Sequence, residues 1–178
     1  DSLALLVSIA SWCRATSRPT AIVLTVDHQL RPGSDAEAAM VTRVASDHGL
    51  PSHVLTVESP PCRDSEAAAR DVRYRLLVDA ARGERCSHLL VAHHIDDQAE
   101  TFLLRLARGS GLRGLGAMRP RTTLAGGLVV LRPLLGARRE ALRAALGARG
   151  IAWREDPSNA DPRFDRIAMR GLMPRLDA

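Results

Sequence analysis

Residues 87–113 read SHLLVAHHIDDQAETFLLRLARGSGLR, and inside this stretch two adjacent histidines, His93 and His94, stand beside Asp96, Asp97, Glu100 and Thr101. Two histidines, two aspartates, a glutamate and a threonine within nine residues are more than packing needs and read as a ligand-facing functional site. A rival reading is a metal-dependent phosphoesterase, since an HHxDD pattern could ligate two metal ions. Helix capping is the plain alternative. An acid in a first turn gains about 0.3–1 kcal/mol from the helix dipole, which explains one of Asp96 and Asp97 but not the whole cluster.

The elements that must position these groups follow from the apolar pattern around them. Residues 87–92 form a short apolar run that predicts a buried strand ending at His93 and His94. Ala99, Phe102, Leu103, Leu106 and Ala107 then recur at helical spacing, which predicts a helix with that stripe packed inward. On that reading Asp97, Glu100, Thr101, Leu104 and Arg108 share the opposite, open face. Polar groups would thus collect where a strand ends and a helix begins, the place where open α/β sheets bind ligands.

The rest of the chain repeats the alternation. Helices are expected over 3–12, 35–48, 65–82 and 138–149, with a last one ending at Leu176, and strands over 20–26, 52–57 and 128–131. Strand and helix in turn imply an α/β fold, a doubly wound parallel sheet with helices on both faces. Such a domain does not normally begin on its first helix, so a first strand and a glycine-rich phosphate loop are expected before Asp1. Ser2 would then stand near an N-cap facing that loop. The glycine-rich 109–116 segment follows a helix instead of preceding one, so it reads as a flexible connection and not as a phosphate-binding loop. The segment WREDPSN at 153–159 reads as an ordered, turn-rich loop.

At 178 residues the chain suits one α/β domain, and its 46% hydrophobic and 25% charged content is that of a globular protein. No apolar run approaches the roughly 18 residues needed to span a bilayer. The net charge of +5, carried mostly by arginine, points to a polyanionic partner such as nucleic acid or nucleotide. Aromatic residues at 3% are too few for a base-stacking platform. Cys13, Cys62 and Cys86 are scattered and contain no CxxC pair, which favours a reducing cytoplasm over a zinc or iron–sulfur site. On the helix over 65–82, Arg70 and Arg73 share a face at i, i+3 and can meet a phosphate or carboxylate together, or pair with Glu66 and Asp71 at the surface.

Four segments in order now resemble one family: AHHIDDQAET at 92–101, RLARGSGLRGL at 105–115, LRPLL at 131–135 and WREDPSN at 153–159. Together they are similar to the tRNA(Ile)-lysidine synthetases of the PP-loop, or N-type ATP pyrophosphatase, superfamily, with the adenine nucleotide alpha hydrolase-like fold. Of that superfamily's SGGxDS signature only the last two residues, Asp1 and Ser2, are present. The resemblance implies that ATP adenylates carbonyl oxygen 2 of the wobble cytidine of tRNA(Ile), and that the ε-amine of free lysine displaces AMP. It implies catalytic roles for Arg73, Asp97 and Glu100, with the two carboxylates holding the lysine ammonium and taking its proton. ATP, with Mg2+, would lie against Asp1, Ser2, Thr25, Val26, Asp27, His28, Ala92 and His93, and Arg105, Arg108 and Arg113 would meet the tRNA backbone.

The resemblance further implies a catalytic domain over 1–135, a small helical extension over 136–178, a cytoplasmic enzyme with no membrane partner, and a homodimer as an allowed assembly. Ile167 departs from the family's usual Asn, leaving Arg166 and Arg170 without that support, and the family's C-terminal tRNA-binding region is not represented. The competing readings are a PP-loop tRNA thiolase, which needs paired cysteines, a metal-dependent phosphoesterase, and a non-catalytic RNA-binding module.

Overall fold

A computed structural model describes residues 1–17, 21–29, 33–57 and 66–153, without the side chains of Glu66, Ala67, Leu112 and Arg113. The order is α1 (Ser2–Thr16), β1 (Val23–Asp27), α2 (Ser34–Asp47), β2 (Ser52–Thr56), α3 (Glu66–Gly83), β3 (His88–Leu90) and α4 (Ile95–Ala107). It continues with α5 (Leu112–Leu115), β4 (Arg121–Thr123), β5 (Val129–Leu131) and α6 (Arg139–Gly147). The expected last helix, Cys62, Ile167 and residues 154–159 lie outside the described residues.

β1 pairs with β2 in parallel, Val23 opposite Ser52 through Asp27 opposite Thr56. β3 pairs with β5 in parallel, and β4 adds to the other edge of β5 in the antiparallel sense. The sheet is parallel as expected, and β4 adds an antiparallel edge strand for which the sequence carried no expectation. Its three residues, Arg-Thr-Thr, return through the turn at Gly126 and Gly127, whose φ values of 82° and 84° suit glycine. Among the described residues the two ladders are not hydrogen-bonded to each other.

Apolar packing nonetheless makes them one layer. Leu24, Val26 and Leu55 from the first ladder and Leu89 and Val130 from the second converge on Leu77 and Ala81 of α3. Val23, one position along β1 from Leu24, packs instead with α1, α2 and α6, where Leu3, Leu6, Val7, Val44, Ala45, Leu142 and Leu146 form a second cluster. The period-two alternation of β1 thus serves both faces, and helices cover each side as the doubly wound reading requires. No described helix is long and apolar enough to cross a membrane.

Leu142 and Leu146 are one helical turn apart on α6, and Leu146 is only 2% exposed against α1. Leu146→Ala is expected to destabilise the domain by about 2–5 kcal/mol, because the α1–α6 contact cannot close over the lost volume. A urea unfolding curve with an unshifted midpoint would show that α6 is not part of the cooperative core.

Candidate functional site

β1 ends at Asp27 and β3 at Leu90, and the residues just beyond them carry the polar groups. Asp27 is buried, and its Oδ1 accepts the Gln29 N–H at 2.9 Å while its carbonyl accepts the Val57 N–H. It therefore shapes the turn after β1. Val26 packs its side chain into the α3 cluster, so only its backbone is placed to meet a ligand, whereas Thr25 is half-buried on the opposite strand face.

His28, next in line, is held below the usual histidine pKa by burial and by the nearby Arg73 guanidinium, with Asp27 opposing the shift. Its neutral form is favoured in the fold. The associated stability is present above the unfolded value of 6.5 and is lost as pH falls, because the unfolded chain takes up the proton first. An NMR titration of His28 is expected to give a midpoint below 6.5, and Arg73→Gln is expected to return only part of the difference. A midpoint unmoved by the substitution would place Arg73 away from His28.

Arg73 keeps solvent access along its side chain, while desolvation by the groups packed around its guanidinium, and then Arg70, lower its pKa from the usual arginine value, with Tyr74 opposing. Exposure is the observation that matters, since a guanidinium stays charged at any physiological pH and a ligand can reach this one. Arg70, one turn earlier, turns to His93: its Nη2 lies 3.1 Å from His93 Nε2, and its guanidinium carbon stands 6.0 Å from the Tyr74 ring centre. Arginine can only donate, so His93 Nε2 is the acceptor there. Arg132 donates to the Tyr74 hydroxyl at 3.3 Å, to the Arg119 carbonyl and to Thr122. These contacts make the front of α3 a cationic cluster beside the ends of β1 and β3. Arg132 belongs to LRPLL, but its chemistry was not singled out from sequence because its partners lie on three different segments.

One residue further on, the charge reverses. His94, 2% exposed, N-caps α4, and its Nε2 lies 3.2 Å from Asp1 Oδ2 and 3.5 Å from Asp97 Oδ2. Asp97 Oδ2 also accepts the His94 backbone N–H at 2.9 Å, so Asp97 closes the first turn of its own helix. Asp96 does something the sequence did not suggest. Its Oδ2 accepts the Arg139 N–H at 3.0 Å and so caps α6, while lying 3.2 Å from His94 Nδ1 without the alignment of a hydrogen bond. Asp1, the N-cap of α1, is also 3.6 Å from Arg139 Nε. Ser2 is the first helical residue, exposed and directly after the N-cap Asp1, near the N-cap as expected.

Two expectations about α4 are overturned. Glu100 is 1% exposed, not open to solvent, whereas Phe102 is 40% and Leu106 52% exposed. The helix is rotated so that its polar edge faces inward, because that edge lines the junction with α1 and α6 and its carboxylates find partners there. The 109–116 connection is the second correction, and Arg105 shows why. It donates to the carbonyls of Gly114 and Gly116, and Gln98 bonds both ways with the Met118 backbone, so the 109–118 segment is tied to α4 and contains α5. Arg105 is engaged with that segment, and the segment is not the free connection expected. Arg108 is exposed at the end of α4, and the Arg113 side chain lies outside the described residues. Ala92 is half-buried between β3 and His93.

The HHxDD residues do not converge as a metal-dependent phosphoesterase would need, since His93 meets Arg70 while His94 meets Asp1 and Asp97. Among the described residues no three His, Cys, Asp or Glu are grouped to hold a metal ion. Cys13 and Cys86 are free thiols, the first on α1 and the second packed on the α3 cluster.

Comparison with known proteins gives this geometry a lineage. The family model described as the PP-loop domain matches residues 1–176. The chain belongs to the PP-loop domain family. Within that family it is 49% identical to the tRNA(Ile)-lysidine synthase of Rhodopseudomonas palustris, covering all of this chain and 52% of that protein. It is 46% identical to the tRNA(Ile)-lysidine synthase of Ruegeria pomeroyi, over 98% of this chain and 42% of the relative. The chain thus spans about half the length of the curated relatives it matches. The fold is also that of the U34-tRNA thiolase NcsA from Methanococcus maripaludis, with a TM-score of 0.78 at 12% identity over 98% of this chain and 61% of that one.

Proposed function

We propose that this PP-loop domain is the catalytic half of a tRNA(Ile)-lysidine synthase, which uses ATP to join free L-lysine to carbon 2 of the wobble cytidine of tRNA(Ile). The observation that carries the reading is the reversal of charge across the neighbours His93 and His94. Arg70, Arg73 and Arg132 gather on one side, and Asp1, Asp96 and Asp97 on the other. A site joining a cationic amino acid to a nucleotide needs both signs within reach of one reacting atom. The naming of relatives 44–49% identical to this chain as tRNA(Ile)-lysidine synthase favours this chemistry over other uses of the fold.

In the first step the cytidine carbonyl oxygen forms a bond to the α-phosphorus of ATP and pyrophosphate leaves. The N-terminus of α1 carries no side-chain cap hydrogen bond, so the N–H groups beside Asp1 and Ser2 are suited to phosphate oxygens. Thr25, the backbone of Val26 and Asp27, His28, Ala92 and His93 border the space an adenosine would take. Mg2+, if it arrives with ATP, would neutralise phosphate charge. Arg73, exposed beside His28, faces the adenylated cytidine and stabilises its developing negative charge.

In the second step the lysine ε-amine attacks carbon 2 and AMP departs with the bonding electrons. Asp97 holds the ammonium and takes the proton it must lose. Glu100 stands one turn on, on the same inward side of α4, and adds negative charge from the interior instead of from an open face. Arg105, Arg108 and Arg113 are the candidates for the tRNA backbone, and the reaction belongs to the cytoplasm, where thiols such as Cys13 and Cys86 stay reduced.

The test is pyrophosphate release by protein carrying this chain. Release should require tRNA(Ile) with a wobble cytidine. Release independent of that tRNA, or none in its presence, would contradict the reading.

A further inference from the structure

We infer that His94 is a positioning residue that ties Asp97 to the start of α1, so that the amine-holding carboxylate stays in fixed register with the phosphate-facing helix end. The inference rests on the function proposed above.

Helix capping alone does not account for a histidine here. Ser, Thr, Asp and Asn are the preferred N-caps, and α4 already has Asp97 closing its first turn on the His94 N–H. An imidazole adds reach. From the front of α4 it crosses to Asp1, 93 positions away in sequence, placing Nε2 3.2 Å from Asp1 Oδ2 and 3.5 Å from Asp97 Oδ2. One ring nitrogen thus stands between carboxylates on two separate helices, and the ring is 2% exposed, so water does not compete for those contacts.

The surroundings hold the ring in that orientation. Asp96 flanks Nδ1 at 3.2 Å and is itself fixed by the Arg139 N–H of α6, and the Ile95 N–H donates to the Ala137 carbonyl at 3.0 Å. Three helix starts therefore meet at one buried imidazole. Asp97, with its side chain 20% exposed, is the carboxylate of the three least open to water, and the one whose position would matter to an incoming amine. A misplacement of about 1 Å at such a group costs on the order of 100-fold in rate.

The discriminating variants are His94→Asn and His94→Gln in protein carrying this chain. Asparagine is a better N-cap than histidine but too short to reach Asp1, whereas glutamine keeps a donor at greater reach. If His94 only caps α4, His94→Asn keeps native kcat and a native or raised melting midpoint. If it positions Asp97, His94→Asn keeps its fold while kcat for lysidine formation falls about 10- to 100-fold and KM for lysine rises. His94→Gln then recovers part of that loss. Native kcat in folded His94→Asn, or an equal loss in both variants, would overturn the inference. Absence of lysidine with the unaltered protein would instead overturn the functional reading.

Discussion

Asp97→Asn is expected to lower the rate of lysidine formation by about 100- to 10,000-fold, the range lost when a positioned proton acceptor is removed. The substitution separates chemistry from architecture. Asparagine can still accept the His94 N–H that now bonds Asp97 Oδ2 at 2.9 Å, so the first turn of α4 keeps its closure. What disappears is the charge proposed to hold an ammonium and the basicity proposed to take its proton. Loss of a negative charge at a partly buried helix start costs up to about 2 kcal/mol, too little to unfold a domain of this size. ATP binding should survive, because the contacts proposed for it lie at α1 and beyond β1 and β3. Steady-state turnover with equilibrium ATP binding decides the point, and an unchanged turnover would remove Asp97 from the reaction.

Arg73→Ala is expected to have the next largest effect, a fall in kcat on the order of 100-fold, the magnitude of removing one donor aimed at developing charge. Arg73 is exposed, so stability should move by no more than about 0.5 kcal/mol, which a thermal melt can verify. Arg73→Lys should restore little, since an ammonium cannot reproduce the planar two-point contact of a guanidinium. Native turnover in Arg73→Ala would assign Arg73 to the surface.

The sheet and its covering helices were legible because periodicity reports burial. The apolar run before His93 and the Leu142–Leu146 spacing each correspond to an observed element, β3 and α6. The orientation of α4 was not legible for the same reason. Its polar edge was assigned to solvent and its stripe of Phe102 and Leu106 to the core, but Glu100 is buried while those two are exposed. A helix that borders a ligand cleft buries charge against partners, and hydropathy alone does not distinguish such a cleft from bulk water.

Partners distant in sequence were equally hidden. Asp96 caps a helix start 43 positions away, and His94 meets Asp1 across 93, neither of which any local pattern encodes. β4 escaped notice because Arg-Thr-Thr is too short and too polar to alternate. The tie between Arg105 and the Gly114 and Gly116 carbonyls was hidden too, because it depends on the fold of 109–118 back onto α4.

The most direct test is mass spectrometry of anticodon nucleosides from tRNA(Ile) incubated with ATP, isotopically labelled lysine and protein carrying this chain. The account predicts labelled lysidine at the wobble position, formed with release of AMP and pyrophosphate. Unmodified cytidine, or a thiolated base in its place, would contradict it.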